Sequence, residues 1–118
     1  MPSPIFMSFK SYKECNVKMR RGTTPTHTFT LPFDAEIIKS VKVTYVQDGK
    51  QVLAKKNPLV QLNGNTATLK LTQEETLMFS DETDVEIQIR ILTTGGDTLG
   101  SYPMRIPVLC CLDDEVLE

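Results

Sequence analysis

One histidine, three cysteines and several paired carboxylates are the side chains in this sequence that could support catalysis or hold a metal. His27 stands in "RRGTTPTHTFTLPF", between threonines and just after two arginines and a glycine. Zinc needs three or four ligands. The other soft donors are Cys15, Cys110 and Cys111, and no C-x-x-C spacing gathers them. A nucleophilic triad would have to be built on this one imidazole, and no G-x-S-x-G elbow is present. "TTGGDTLG" is glycine-rich, but it lies between strand-like segments, opens no helix and lacks the lysine of a phosphate-binding loop. The pairs Glu74–Glu75, Asp81–Glu82 and Asp113–Asp114 fall in polar stretches with no apolar pocket to shift their pKa values, and are expected to be solvated loop charge. His27 itself is expected to be a ring packed at the rim of a strand. These readings point away from an enzyme, and no catalytic residue, cofactor, metal or small-molecule substrate is expected.

The elements that would position these groups follow from the alternation of apolar and polar residues. In "THTFTL" His27, Phe29 and Leu31 face one way and the threonines the other. Val41, Val43 and Tyr45 share a face in "VKVTYVQ", as do Ala67, Leu69 and Leu71 in "TATLKL". In "DVEIQIRI" Val85, Ile87, Ile89 and Ile91 alternate with Glu86, Gln88 and Arg90, a strand with one dry and one wet face. Asp48-Gly49 is a two-residue hairpin signal, and Gly95-Gly96 offers positive φ angles to a second turn. Pro103 and Pro107 cannot donate to a ladder, so the last strand should lie at an edge or break at a bulge, with Met104, Ile106 and Val108 on one face.

One segment is helical in character. Thr72, with Glu75 three residues on, has the form of a capping box, so a short turn near 73–79 should carry Leu77 and Phe79 into the core. About seven strands are expected, near residues 14–20, 25–32, 40–47, 50–56, 66–71, 84–92 and 99–109. Short strands punctuated by turns indicate an all-β, antiparallel β-sandwich with Greek-key connections, with a small barrel as the alternative. The 118 residues fit a single domain, divided into an N-terminal arm (1–15), the sandwich (16–112) and an acidic C-terminal tail (113–118).

The net charge of −2 conceals an asymmetry. Residues 1–70 hold 11 basic and 4 acidic side chains (+7), and residues 71–118 hold 2 basic and 11 acidic (−9). A sandwich interleaves the two halves, which favours a mixed surface. If the charges segregate, one copy's basic surface could meet another's acidic one. Lys10, Lys13, Lys18, Arg20 and Arg21 form the most basic stretch, opposed only by Glu14 and flanked by Phe6, Phe9 and Tyr12. Protein docking is preferred to nucleic acid there, because the pI of about 5.4 is acidic. The three cysteines are expected to be reduced thiols. "MPSPIFMSFK" is too short in its apolar run, and lacks a preceding positive charge, for a signal peptide. No run reaches the roughly 18 apolar residues needed to span a bilayer.

The order "MRRGTTPTHTFTLPF … VTYVQDGK … TATLKLTQEETLMFSDETDVEIQIRILTTGGDTLGSYPMRIPV" resembles small β-sandwich proteins of phage and prophage tail modules in Firmicutes-type genomes. It is also similar to the immunoglobulin-like N-terminal domain of phage baseplate upper proteins. A threonine-rich strand after "RG", a "TQEET" turn, an alternating strand, a glycine turn and a final strand running to an acidic end carry the likeness over roughly residues 16–115. The resemblance implies an immunoglobulin-like fold and a non-enzymatic virion subunit, made in the bacterial host cytoplasm, that docks on other virion proteins and copies of itself. Ile5, Phe6, Phe9, Lys10, Lys13, Lys18, Arg20 and Arg21 at one end, and Asp113, Asp114 and Glu115 at the other, are the expected protein-binding residues. A carbohydrate- or host-surface-binding module, or a small inhibitor of a host protein, is the alternative.

Overall fold

The computed structural model describes residues 18–118 and the backbone of Ile5–Phe6. The strands are β1 (Ile5–Phe6), β2 (Met19–Arg20), β3 (Thr26–Thr30), β4 (Ile38–Gln47), β5 (Lys50–Lys56), β6 (Gln61–Asn63), β7 (Thr66–Lys70), β8 (Val85–Thr93), β9 (Thr98–Gly100), β10 (Met104–Ile106) and β11 (Val108–Leu109). A single-turn helix, α1 (Gln73–Leu77), links β7 to β8.

The strands form two main sheets. One has the order β1-β3-β7-β6 and the other β10-β8-β4-β5, with β9 also on β8. The inward sets read from alternation are those that become buried: Phe29 and Leu31; Val41, Val43 and Tyr45; Ala67, Leu69 and Leu71; Val85 to Ile91 at odd positions; Met104, Ile106 and Val108. Each fully buried Leu, Ile or Phe stabilises the fold by about 1.5–3 kcal/mol, and together they fill the space between the sheets. The order is that of an immunoglobulin-like sandwich: β1-β3-β7-β6 matches the A-B-E-D sheet and β10-β8-β4 the G-F-C sheet, with an extra strand, β5, beside β4. Two pairings are parallel rather than antiparallel, β1 with β3 and β11 with β2.

The turns have the chemistry their sequences suggest. Asp48 and Gly49 both have positive φ, 53° and 75°, as a type I′ hairpin turn needs. In the β8–β9 turn Gly96 alone takes the left-handed conformation, at φ 92°; Gly95 does not. β6 was not anticipated. It is three residues long, too short for alternation to register, and the Gly64-Asn65 turn joins it to β7.

The expected strand over 99–109 is three strands. Ser101 makes the first break: its N–H donates to the Ile89 carbonyl and its Oγ accepts from the Ile89 N–H. A side chain thus replaces a strand carbonyl just before Pro103. After Pro107 the chain leaves β8 and pairs with β2, Met19 N–H donating to the Pro107 carbonyl and Arg21 N–H to the Leu109 carbonyl. Of the expected strand over 14–20, the described part is Met19–Arg20.

α1 carries the expected capping box. Thr72 Oγ1 accepts from the Glu75 N–H and Glu75 Oε1 accepts from the Thr72 N–H. Phe79 enters the core, whereas Leu77 is only half-buried.

Candidate functional site

The opening "RRGTT" is a clip over α1. Arg21 lies next to the end of the helix, where backbone carbonyls lack helical partners. Its Nε donates to the Phe79 carbonyl at 2.7 Å and its Nη2 to the Leu77 carbonyl at 3.2 Å. A cation there also complements the negative end of the helix. Gly22, at φ 77°, lets the chain turn beneath Leu77 and Cys111, and its N–H donates to Thr76 Oγ1. Thr76 Oγ1 also meets the Thr23 and Gln73 carbonyls. Arg21 therefore anchors this domain's own helix, a different use from the docking expected of it. Arg20 is exposed, its Nη1 on the Cys110 carbonyl at 2.6 Å. Lys18 is exposed. Phe9, Lys10 and Lys13 lie outside the described residues, as does Cys15. For Ile5 and Phe6 only the backbone is described, in parallel register with Phe29 and Thr30.

His27 is fully buried, which corrects its expected place at a rim. Its strand belongs to one sheet and Tyr45 to the other, and Nδ1 lies 2.7 Å from the Tyr45 hydroxyl. The two rings stack at 5.8 Å, so the pair is a polar link across the core. Nε2 has no hydrogen-bond partner. Burial pushes the imidazole pKa down to about 4 and the Tyr45 phenol well above its usual range, the Glu75 charge adding to the second effect. The ring is neutral and, among the described residues, makes its one side-chain hydrogen bond to Tyr45, so it packs and orients that hydroxyl. Among the described residues no three His, Cys, Asp or Glu side chains are grouped to hold a metal ion.

Glu75 also differs from expectation. It is a half-buried partner of Lys55 at 2.8 Å, not solvated loop charge. Burial alone would raise its pKa; the Lys55 and Thr72 interactions outweigh that and hold it below the ordinary 4.5.

The tail is clasped. Gln73 Oε1 accepts from the Leu117 N–H at 2.8 Å and Gln73 Nε2 donates to the Leu117 carbonyl at 3.0 Å, as a neighbouring strand would. Asp113 Oδ1 accepts from the Glu115 N–H at 2.9 Å, closing a small turn. Asp113, Asp114 and Glu115 are exposed, and Leu112 and Leu117 stand out from the surface at 105% and 75% relative exposure. Cys110 and Cys111 beside it are free thiols.

A further group was not singled out from sequence. Lys56, Lys42 and Arg90 lie directly opposite one another across β5, β4 and β8, on the outer face of the sheet. They line a groove of about 430 Å³ with Ser40, Leu92 and Thr98. The wet positions of β4 and β8 were visible in the alternation. Lys56 was hidden by a β-bulge: Val46 pairs with Gln51 but Tyr45 with Leu53, so Val52 is an extra residue. That one-residue slip sends Lys55 to the inner face and Lys56 to the outer one.

No family model matches the chain, and no curated protein matches it. Among solved structures it is similar to extracellular domains 3–5 of Drosophila OTK, with a TM-score of 0.40 and 12% identity over 96% of this chain and 37% of that one. The chain thus spans well under half of that structure's length. The strand order of the two sheets defines the class: an all-β, immunoglobulin-like sandwich.

Proposed function

We propose that the chain is a non-enzymatic structural subunit of a phage or phage-like particle, which docks on neighbouring virion proteins through its termini and sheet edges. The observation that carries this reading is the exposed, apolar and acidic tail held in place by Gln73. The exposed Leu112 and Leu117 flank the acidic residues, and the Leu117 backbone is held by Gln73, which supports reading the segment as an interaction site. The clasp also removes in advance part of the entropy that docking would otherwise cost. The order of sequence features shared with phage tail-module sandwiches supplies the kind of assembly.

Deletion of residues 113–118, and separately of residues 1–12, tests the reading in a particle-assembly assay. Loss of incorporation from either deletion, with the folded domain intact by circular dichroism, is the expected result. Normal incorporation of both truncated chains would remove the proposal.

A further inference from the structure

Three cations in direct cross-strand register are an unfavourable arrangement for a sheet standing alone. Like charges directly opposite repel. Among the described residues, no carboxylate lies within ion-pair distance of Lys42, Lys56 or Arg90. The neighbouring rows differ. One holds Ala54, Thr44 and Gln88; the next sets Glu86 opposite Arg105. The cationic row is therefore a local feature of the groove end of the sheet, not a general basic surface.

The groove has room and mixed chemistry for a peptide segment. Ser40 and Thr98 supply hydroxyl-bearing rims, and half-buried Leu92 supplies an apolar patch. The same chain carries a matching segment, in which Asp113, Asp114 and Glu115 are held exposed beside the protruding Leu112. Among the described residues, no hydrogen bond or ion pair joins the two within one molecule. Lys55 reaches Glu75 of α1 from the inner side of β5, whereas Lys56 points to the outer side. Gln73, which clasps the tail, heads that same helix. The tail's clasp, Leu117 on Gln73, is thus made with α1 and not with the ladder.

We infer that the Lys56–Lys42–Arg90 ladder is the receptor for the acidic tail, residues 112–118, of a second copy of this chain. The contact is heterologous: ladder and tail are different surfaces, so each copy offers one of each and copies join head to tail into a ring or an open stack. Opposite charges favour rapid encounter and fix the register, and the contact weakens as salt screens it. This inference rests on the assembly role proposed above and names the partner at one of its surfaces.

Sedimentation equilibrium of the full chain, with two charge-reversed variants, tests it. The wild type is expected to self-associate at low ionic strength and to dissociate as salt rises. Lys42→Glu with Arg90→Glu leaves an acidic groove facing an acidic tail. Asp113→Lys, Asp114→Lys and Glu115→Lys leave a basic tail facing a basic groove. Each variant alone should associate at least about tenfold more weakly, and an equimolar mixture should recover association because the reversed surfaces complement each other. The ladder variant should stay folded, with an unchanged circular dichroism spectrum, because the attraction gained between Lys56 and the carboxylate at position 42 offsets the like-charged pair at positions 42 and 90.

A wild type that stays monomeric at every salt concentration overturns the inference, as does self-association that both variants retain. Binding of a DNA oligonucleotide to the ladder, with no binding of a synthetic peptide of residues 112–118, overturns it as well. Particle incorporation of a chain that never self-associates would remove this contact while leaving the proposed assembly role intact.

Discussion

Gln47 and His27 are both polar side chains buried at the interior of the sandwich, yet they close their surroundings in opposite ways. Gln47, at the end of β4, donates from Nε2 to the Ser80 and Thr83 carbonyls and accepts at Oε1 from the Ser80 N–H. The orientation of its amide is fixed by chemistry, since carbonyls only accept and the amide N–H only donates. It ties the loop after α1 to the sheet. His27 makes one hydrogen bond, to Tyr45, and leaves Nε2 without a partner. A satisfied buried network rigidifies, whereas an unfinished one is a standing cost and a point of sensitivity to pH.

The largest consequence of that contrast is a pH dependence that Gln47 cannot have. His27 titrates near 6.5 when unfolded and near 4 when folded, because burial disfavours the charged ring. The unfolded chain therefore binds the extra proton first as pH falls. Stability is complete above about pH 6.5 and declines down to about pH 4, by a total of roughly 3 kcal/mol. Urea titrations across this range should show the decline in the wild type and a flat response in His27→Phe between pH 6.5 and 4.5. A parallel decline in both chains would mean that the imidazole is not the group responsible.

Replacing Gln47 is next in size. Gln47→Leu fills a similar volume but strips the Ser80 N–H and two carbonyls of their partners at once. Unsatisfied buried groups cost about 1–3 kcal/mol each, and loop relaxation into water recovers part of that, so a net loss of about 2 kcal/mol is expected. Amide exchange at Ser80 should accelerate more than exchange in the centre of β8. A uniform change across both sites would show that the loop was not held by this side chain.

The His27–Tyr45 link should lose less, and its loss should be recoverable. His27→Phe leaves the Tyr45 hydroxyl buried and unpaired, at a cost of about 1–2 kcal/mol above pH 7. Adding Tyr45→Phe removes the orphan, and an apolar pair of similar shape can be nearly neutral. The double variant should therefore be more stable than the single. Simple additivity of the two losses in denaturant melts would contradict the picture of a dispensable polar pair.

What was legible in the sequence follows the range of each interaction. Alternation gave the inward faces of β3, β4, β7, β8 and β10, because period two is set by the pleat itself. Thr72 and Glu75 gave the helix start, since a capping box is complete within four residues. The roles of Arg21, Gln47, Gln73 and Lys56 were not legible. Arg21 meets α1 more than fifty positions along the chain, and Gln73 meets Leu117 forty-four positions away. Lys56 depends on a bulge that no turn residue announces. Likewise "His27 faces inward" was readable, but whether it sat at the rim or in the centre depended on which residue of the other sheet lay across from it.

The smallest expected effect tests how far the unfinished link feels its surroundings. Glu75 is the charge that acts on Tyr45, and it is also bound to Lys55 and to the Thr72 N–H. Glu75→Gln keeps the capping geometry and removes the charge, so it should cost only about 0.5–1 kcal/mol at neutral pH, the scale of a partly exposed ion pair. Its pH signature has the opposite placement from that of His27. The Glu75 pKa lies below 4.5 in the fold, so its contribution is complete above that value and is lost as pH falls through the folded pKa. The variant should therefore track the wild type's decline from pH 6.5 to 4.5 and depart from it only below. The Tyr45 phenol should also titrate at lower pH in Glu75→Gln than in the wild type, by ultraviolet absorbance, because a negative neighbour that opposes ionisation is gone. If the phenol does not move, Glu75 serves Lys55 and the helix cap alone, and the His27–Tyr45 link is electrically independent of the surface above it.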